Sequence, residues 1–215
     1  MKIKWLGHAC FLLTSEEGLK IMTDPYSVGG GINYGKIQES ADVVTVSHKH
    51  GDHSNVAAVK GSPAVVDTPG VKQVKGIEFS GISTYHDEAG GSQRGPNIIF
   101  CFDLDGMRVC HLGDLGHELD ASQVGALGPV DILLVPVGGF FTIDAGAATK
   151  VCRDIGPKVV VPMHYKTAKC DYPIAGVDEF LKRRENVRRL DDSEAEFKKD
   201  QLPLATETVV LRHAL

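Results

Sequence analysis

The stretch Val43-Val44-Thr45-Val46-Ser47-His48-Lys49-His50-Gly51-Asp52-His53 decides the fold. Its first half is a β-branched run and reads as a strand. The next six residues supply three imidazoles and a carboxylate, a density that packing alone does not account for. Imidazole together with carboxylate suits Zn²⁺, Mn²⁺ or Fe²⁺. If the extended backbone continues, His48 and His50 point the same way and can grip one ion. Asp52 and His53, in the turn that opens the next element, can face a second.

More apolar runs deliver metal-competent side chains at or just past their carboxyl ends. Ile82-Ser83-Thr84-Tyr85 reaches His86, Arg108-Val109-Cys110-His111-Leu112 reaches Gly113-Asp114, and Val159-Val160-Val161-Pro162-Met163 reaches His164. Such strand ends collect into one cleft in sheet proteins, and ligands bind there. His111 competes with His86 as a ligand. Alternation along the strand puts Cys110, Leu112 and Asp114 on one face and His111 on the other, which favours His86, although Gly113 can break the alternation.

Further strands are expected at Ile3–Leu6, Cys10–Thr14, Leu19–Thr23, Ala64–Asp67, Gly76–Phe79, Ile98–Asp103, Ile132–Val135 and Thr208–Arg212. Helices are expected at 53–59, 119–127, 144–154 and 175–185, the third capped by Asp144. Asp105-Gly106 is a two-residue hairpin signal. Counting outward, Leu104 faces Met107, Asp103 faces Arg108, Phe102 faces Val109 and Cys101 faces Cys110. The charge-densest stretch, Asp191 to Asp200, reads as a solvated surface segment.

The whole chain has 215 residues, enough for one domain with a real core, and 42% hydrophobic and 24% charged content, as in a folded globular protein. Twenty-three basic residues against 28 acidic ones leave a formal charge of −5. No basic excess exists to follow a phosphate backbone, so nucleic acid is not the expected partner. The start lacks a basic segment followed by an apolar one, and no apolar run is long enough to span a bilayer, so a cytoplasmic protein without a membrane partner is expected. Five cysteines without CxxC spacing read as reduced thiols; the facing pair Cys101 and Cys110 could form a disulfide, but core thiols are the expectation for it too. Val137-Gly138-Gly139 matches no phosphate-binding loop. These glycines are expected to permit close backbone approach beneath the cleft, with Phe140 and Phe141 packing or forming its wall.

The H-x-H-x-D-H signature at His48, His50, Asp52 and His53, followed in order by His86, the Gly113-Asp114 pair and His164, resembles the metallo-β-lactamase superfamily. Gly7-His8-Ala9, Thr23-Asp24-Pro25, Val137 to Thr142 and Pro162-Met163-His164-Tyr165 look like its small metal-dependent hydrolases related to ascorbate-6-phosphate lactonase. The resemblance implies an α/β (α+β) chain, a four-layer αββα sandwich over 1–215 with the metals at one edge of the sheets. It implies two divalent ions, Zn²⁺ or Mn²⁺. His48, His50 and His86 would hold one, Asp52, His53 and His164 the other, with Asp114 bridging. Flavodiiron relatives carry a Glu where this chain has Gly51, which disfavours oxygen reduction.

The implied chemistry is attack by a metal-bound hydroxide shared between the two ions on a small ester, lactone or phosphodiester. Asp52 would orient the nucleophile and take its proton. His8 is a candidate for the surroundings of the site or a packed histidine. Asp24 is either a hydrogen-bond partner of a ligand imidazole or a turn residue before Pro25. Lys166, two residues past His164, could attract an anion or simply be exposed. Arg94, in the glycine-rich loop after His86, could meet a phosphate or carboxylate or only solvate its loop. His117, three residues after Asp114, is a candidate proton donor, while His213 reads as structural. A small molecule, plausibly anionic, is the expected substrate. The alternatives are an RNA-processing nuclease, which the acidic balance and missing basic arm oppose, and a non-catalytic metal-binding protein, which the intact ligand set opposes.

Overall fold

A computed structural model describes residues 1–215. The chain runs through β1 (Lys2–Gly7), β2 (Cys10–Thr14), β3 (Lys20–Thr23), β4 (Val43–Thr45), β5 (Ala64–Val66), β6 (Gly70–Val74), β7 (Ile77–Tyr85), β8 (Pro96–Leu104) and β9 (Met107–His111). It continues with α1 (Ala121–Leu127), β10 (Ile132–Pro136), α2 (Ala145–Ile155), β11 (Val159–Met163), α3 (Asp178–Leu181), β12 (Val187–Arg189), β13 (Glu194–Glu196) and β14 (Glu207–Val210). Two sheets result: β13-β1-β2-β3-β4-β5, and β12-β14-β11-β10-β9-β8-β7-β6.

Alternation along the first sheet decides how it is covered. Ile3, Trp5, Phe11, Leu13, Ile21 and Val43 point inward and join the second sheet in a 45-residue core. Their neighbours Leu6, Cys10, Leu12, Met22, Val44 and Val46 point outward and are buried beneath Tyr26, Ile32, Tyr34 and Ile37. A strand apolar on both faces needs cover on both. Here the outer cover is mostly coil, because the Gly- and Pro-containing segment 24–41 cannot run as a helix. The helix expected at 53–59 is a single 3₁₀ turn, Val56–Ala58.

Against the second sheet, α2 packs on β10 and on α3. Its buried residues Ala145, Ala148, Val151 and Cys152 form one helical stripe, and the Asp144 carboxylate accepts from the Gly146 and Ala147 amides at its start. Asp120 and Gln123 form a capping box at the head of α1. The helix expected at 175–185 shortens to Asp178–Leu181. None of the helices is long and apolar enough to cross a membrane.

The β8–β9 hairpin has the register that Asp105-Gly106 predicts, from Leu104↔Met107 to Cys101↔Cys110. Asp105 and Gly106 both have positive φ, as a type I′ turn requires. Cys101 and Cys110 do not remain free thiols: they form a disulfide across this hairpin. Direct opposition on neighbouring strands, with Cα atoms 4.2 Å apart, is what allows it. Cys10, Cys152 and Cys170 stay free and buried.

Two expected strands, Gly76–Phe79 and Ile82–His86, are one, since β7 stays paired to β8 from Phe79 to Tyr85 through Ser80-Gly81. The edge strands β6, β12 and β13 carry too many polar residues to show an apolar pattern. The last corrects the reading of 191–200 as free surface. Glu194–Glu196 pairs with β1, Ala195 and Phe197 are buried in the main core, and the N-terminal amine donates to the Phe197 carbonyl at 2.9 Å. Phe197→Ala should therefore cost about 3 kcal/mol in a denaturant melt. A loss below about 0.5 kcal/mol would restore the solvated-segment reading.

Candidate metal centre

Strand ends from both sheets meet over a small cluster of histidines and carboxylates. Ser47, just past β4, ties the sheets together there, its carbonyl accepting from the Ile98 amide of β8 at 2.9 Å. Beyond it, His48 and His50 turn toward His86 at the end of β7, and the ring nitrogens of these three lie within 4.8 Å of one another. A second group, His8, His53 and His164, meets the same limit. Between the groups stands Asp114. Its Oδ2 is 3.1 Å from His53 Nε2, 3.2 Å from His86 Nε2, 3.4 Å from His164 Nε2 and 3.8 Å from His48 Nε2.

Asp114 reaches this position because Gly113 takes φ +56° and breaks the strand alternation. No larger residue fits there, since a Cβ would stand 2.4 Å from Asn97 Oδ1. Buried Asn97 then holds the loop with its whole side chain. Oδ1 accepts from the Asp114 amide at 2.9 Å, and Nδ2 donates to Thr84 Oγ1 and the Leu112 carbonyl. His111 turns to the other side and stays structural, its Nε2 donating to the Ala9 carbonyl and its Nδ1 accepting from the Gly113 amide. Beneath His164, a Cβ on Gly138 would come 2.3 Å from the His164 carbonyl, which is the close approach expected of the Val137-Gly138-Gly139 run.

Asp24 acts on the cluster from behind. Fully buried, it accepts from the Ser47 amide at 2.8 Å through Oδ1 and from His53 Nδ1 at 2.9 Å through Oδ2. This leaves His53 Nε2 to face Asp114, the arrangement by which a carboxylate orients a ligand imidazole. Four non-glycine residues at the site, His8, Asp24, Phe140 and His164, have positive φ between 38° and 63°. Each such backbone costs about 1–3 kcal/mol and persists only where the surroundings impose it.

The donor set fits divalent cations. His8 Nδ1 and Nε2, His53 Nε2 and Asp114 Oδ1 are buried with no hydrogen-bond partner, a state that is costly unless something else satisfies them. Burial, reinforced by neighbouring histidines, pushes His8 and His48 down to about 3, so both rings are neutral at pH 7, the form that ligates. Burial disfavours charge on His53 too, but Asp114 and Asp24 on either side push it the opposite way, well above its usual value. Those two buried carboxylates thus call for a positive charge between them.

Of the other expected site residues, His8 is drawn fully into the cluster. Its ring centroid lies 4.1 Å from that of His164, and its Nε2 is 3.3 Å from Asp52 Oδ2. Asp52 Oδ2 stands farther from His53 Nε2, at 3.8 Å. Lys166 does not border the cleft, and its ammonium donates to the Tyr172 carbonyl at 2.9 Å, which braces that loop. His117 also misses the cleft. Its Nδ1 donates to the Glu118 carbonyl and its Nε2 accepts from the Tyr85 amide, so both nitrogens are taken up by backbone. His213 is structural, as expected, packed on Trp5 and Tyr34.

A cavity of about 270 Å³ opens over the cluster, and Arg94, Phe141 and Tyr172 form its far wall. Tyr172 has no signal in the sequence. It sits in an irregular loop and reaches the site only because its hydroxyl donates to Asp52 Oδ2 at 3.2 Å while its ring packs on Phe141.

Two facing sheets with a histidine–aspartate cluster at their shared edge define a metallo-β-lactamase-fold protein. Residues 2–164 match the family described as "Beta-lactamase superfamily domain". A metal-dependent hydrolase of Archaeoglobus fulgidus is 32% identical over 197 residues, covering 78% of this chain and 84% of the relative. One from Carboxydothermus hydrogenoformans is 34% identical over 207 residues, covering 83% and 88%. A solved Thermotoga maritima structure, provisionally called a Zn-dependent hydrolase of the metallo-β-lactamase superfamily, is 40% identical. It superposes with a TM-score of 0.81 over 98% of this chain and 97% of its own. The chain belongs to the UPF0173 metal-dependent hydrolases of this superfamily.

Replacing Asp24 by Asn removes the charge behind His53 with little change in shape. Metal affinity measured by competition with a chromogenic chelator should fall about 10–100-fold. Unaltered affinity would make Asp24 only a turn residue.

Proposed function

We propose that the cluster holds two divalent ions, Zn²⁺ in the first instance, and hydrolyses a small ester, lactone or phosphodiester. His48, His50 and His86 would hold the first ion and Asp52, His53 and His164 the second, with Asp114 between them. The observation that carries this reading is the convergence of four imidazole nitrogens within 3.1–3.8 Å of one carboxylate oxygen, Asp114 Oδ2. Imidazole nitrogens and a carboxylate oxygen converging on one point are together a ligand set for a divalent cation. When bound, such ions lower the pKa of water and polarise the oxygen of a carbonyl or phosphoryl group.

The chain's own residues supply the remainder. Asp52 is one-fifth exposed at its side chain and borders the cavity. Burial would raise its pKa, but His8 and His53 hold it well below the usual carboxylate range, so at neutral pH it is ionised. The Tyr172 hydroxyl donates to Asp52 Oδ2 at 3.2 Å, and the His8 ring stands on its other side, Nε2 at 3.3 Å. Phe141 forms part of the apolar wall of the cavity. A cavity of about 270 Å³ suits a small molecule, and the formal charge of −5 opposes a nucleic-acid strand.

The test is metal content by elemental analysis before and after chelation, beside hydrolysis of bis(p-nitrophenyl) phosphate and simple lactones. The expected result is about two transition-metal ions per chain and activity that is lost on chelation and regained on adding metal. Stripping should also lower the melting temperature, because the ions bind only the folded chain and stabilise it by about 3 kcal/mol at a hundredfold excess over Kd. Purified protein that takes up no transition metal would defeat the reading. In Asp114→Ala, activity should vanish and metal content fall. Full activity in that variant would remove the bridging assignment.

A further inference from the structure

Immediately after His86, one carboxylate organises a whole loop. Asp87 Oδ1 accepts from the amides of Ala89 and Gly91 at 2.8 and 2.9 Å, and Oδ2 from those of Gln93 and Arg94 at 3.0 and 2.7 Å. The loop is closed by the His86 amide on the Gly95 carbonyl, at 3.0 Å. All the bonds of Asp87 are thus made to backbone. Its charge is engaged there and not with the Arg94 side chain.

That leaves Arg94 with a half-buried guanidinium that makes neither an ion pair nor a hydrogen bond. Its Cζ lies 5.7 Å over the ring of Phe141. It borders the cavity over the metal cluster and also the two cavities flanking it, of about 350 and 330 Å³. The other cations nearby are engaged: Lys49 pairs with Asp67 at 2.6 Å, and Lys166 holds the Tyr172 carbonyl. In the first flanking cavity Phe140 presents a 62% exposed phenyl ring, edge-on to Phe141, from a backbone with φ +63°. Apart from that edge contact, no packing holds an exposed aromatic side chain at a conformation that disfavours it. A guanidinium whose N–H groups meet no protein acceptor is likewise a recognition element for a planar oxyanion.

We propose that Arg94, Phe140 and Phe141 form a substrate-recognition subsite for an amphipathic organic anion. The carboxylate or phosphoryl group pairs with Arg94 and the apolar part lies on the two phenyl rings, apart from the bond being broken. Asp87 is the positioning residue that aims Arg94. The role of this subsite in substrate choice rests on the hydrolase reading above, but its binding can be measured without turnover.

The experiment is calorimetric binding to metal-loaded protein of two probes of one shape, glutaric acid monoanilide and the neutral valeranilide, with metal content measured on every sample. Wild-type protein should prefer the acid by about tenfold, the size of one charge-assisted pair. In Arg94→Ala this preference should collapse to about twofold or less, and in Arg94→Lys it should return in part. Asp87→Asn should lower the preference and speed amide exchange in residues 89–94 while the metal content holds. A preference that persists in Arg94→Ala would mean that the acid sits on the metals, and would overturn the subsite. So would a wild type that fails to distinguish the probes or binds neither at millimolar concentration. Protein that contains no metal refutes the hydrolase reading instead, and the anion preference at Arg94 is then read on that same sample.

Discussion

The structure turns on the buried carboxylate of Asp114. A charge with almost no solvent is tolerable only when opposite charge or many donors surround it. Here the surroundings are four imidazoles from three separate places in the chain, and burial itself keeps two rings of the cluster neutral. That combination is hard to satisfy within the protein alone and easy to satisfy with cations. The remaining architecture can be understood as what it takes to hold these groups together. Two sheets bury their inner faces in one core, so that the ends of β4, β7, β9 and β11 stay fixed relative to each other.

Holding the strand ends is not sufficient, because the ligand loops bend sharply just beyond them. Asn97 and Asp24 do this second task, one for the Asp114 loop and one for His53, each buried and each with its polar atoms committed. Both form bonds that cross between strands or loops distant in sequence. The strained backbones at His8, Asp24 and His164 belong to the same economy of constraint: a firm scaffold imposes local conformations that the residues would not choose. On the open side the walls come from loops instead of strands. Asp87 makes one of these loops rigid by gathering four amides, and so the position of Arg94 is a property of the loop as a whole.

Legibility in the sequence followed the range of the physics. The ligand types, their order and their place after β-branched runs were readable because they are local. The hairpin around Asp105-Gly106 was readable residue by residue, since a two-residue turn dictates register. Edge strands such as Glu194–Glu196 were not, because a strand with one partner and a solvent side carries little apolar signal. The Cys101–Cys110 disulfide marks a subtler limit. The register put the two residues face to face, but five cysteines without CxxC spacing argued for thiols, and proximity prevailed.

By itself, then, the sequence determined the family: the histidine–aspartate signature and the order of the later motifs resemble the metallo-β-lactamase superfamily, and that resemblance implies metal-dependent hydrolysis. Only the tertiary structure decided which side chains stand around the histidine–aspartate cluster. It drew His8 wholly into the cluster, brought Tyr172 against Asp52 and left His117 and Lys166 outside. It also left Arg94 unpaired at the mouth of the cleft. The physical reason is that a side chain's chemistry is written in its own atoms, whereas its partners depend on which loops the two packed sheets force together.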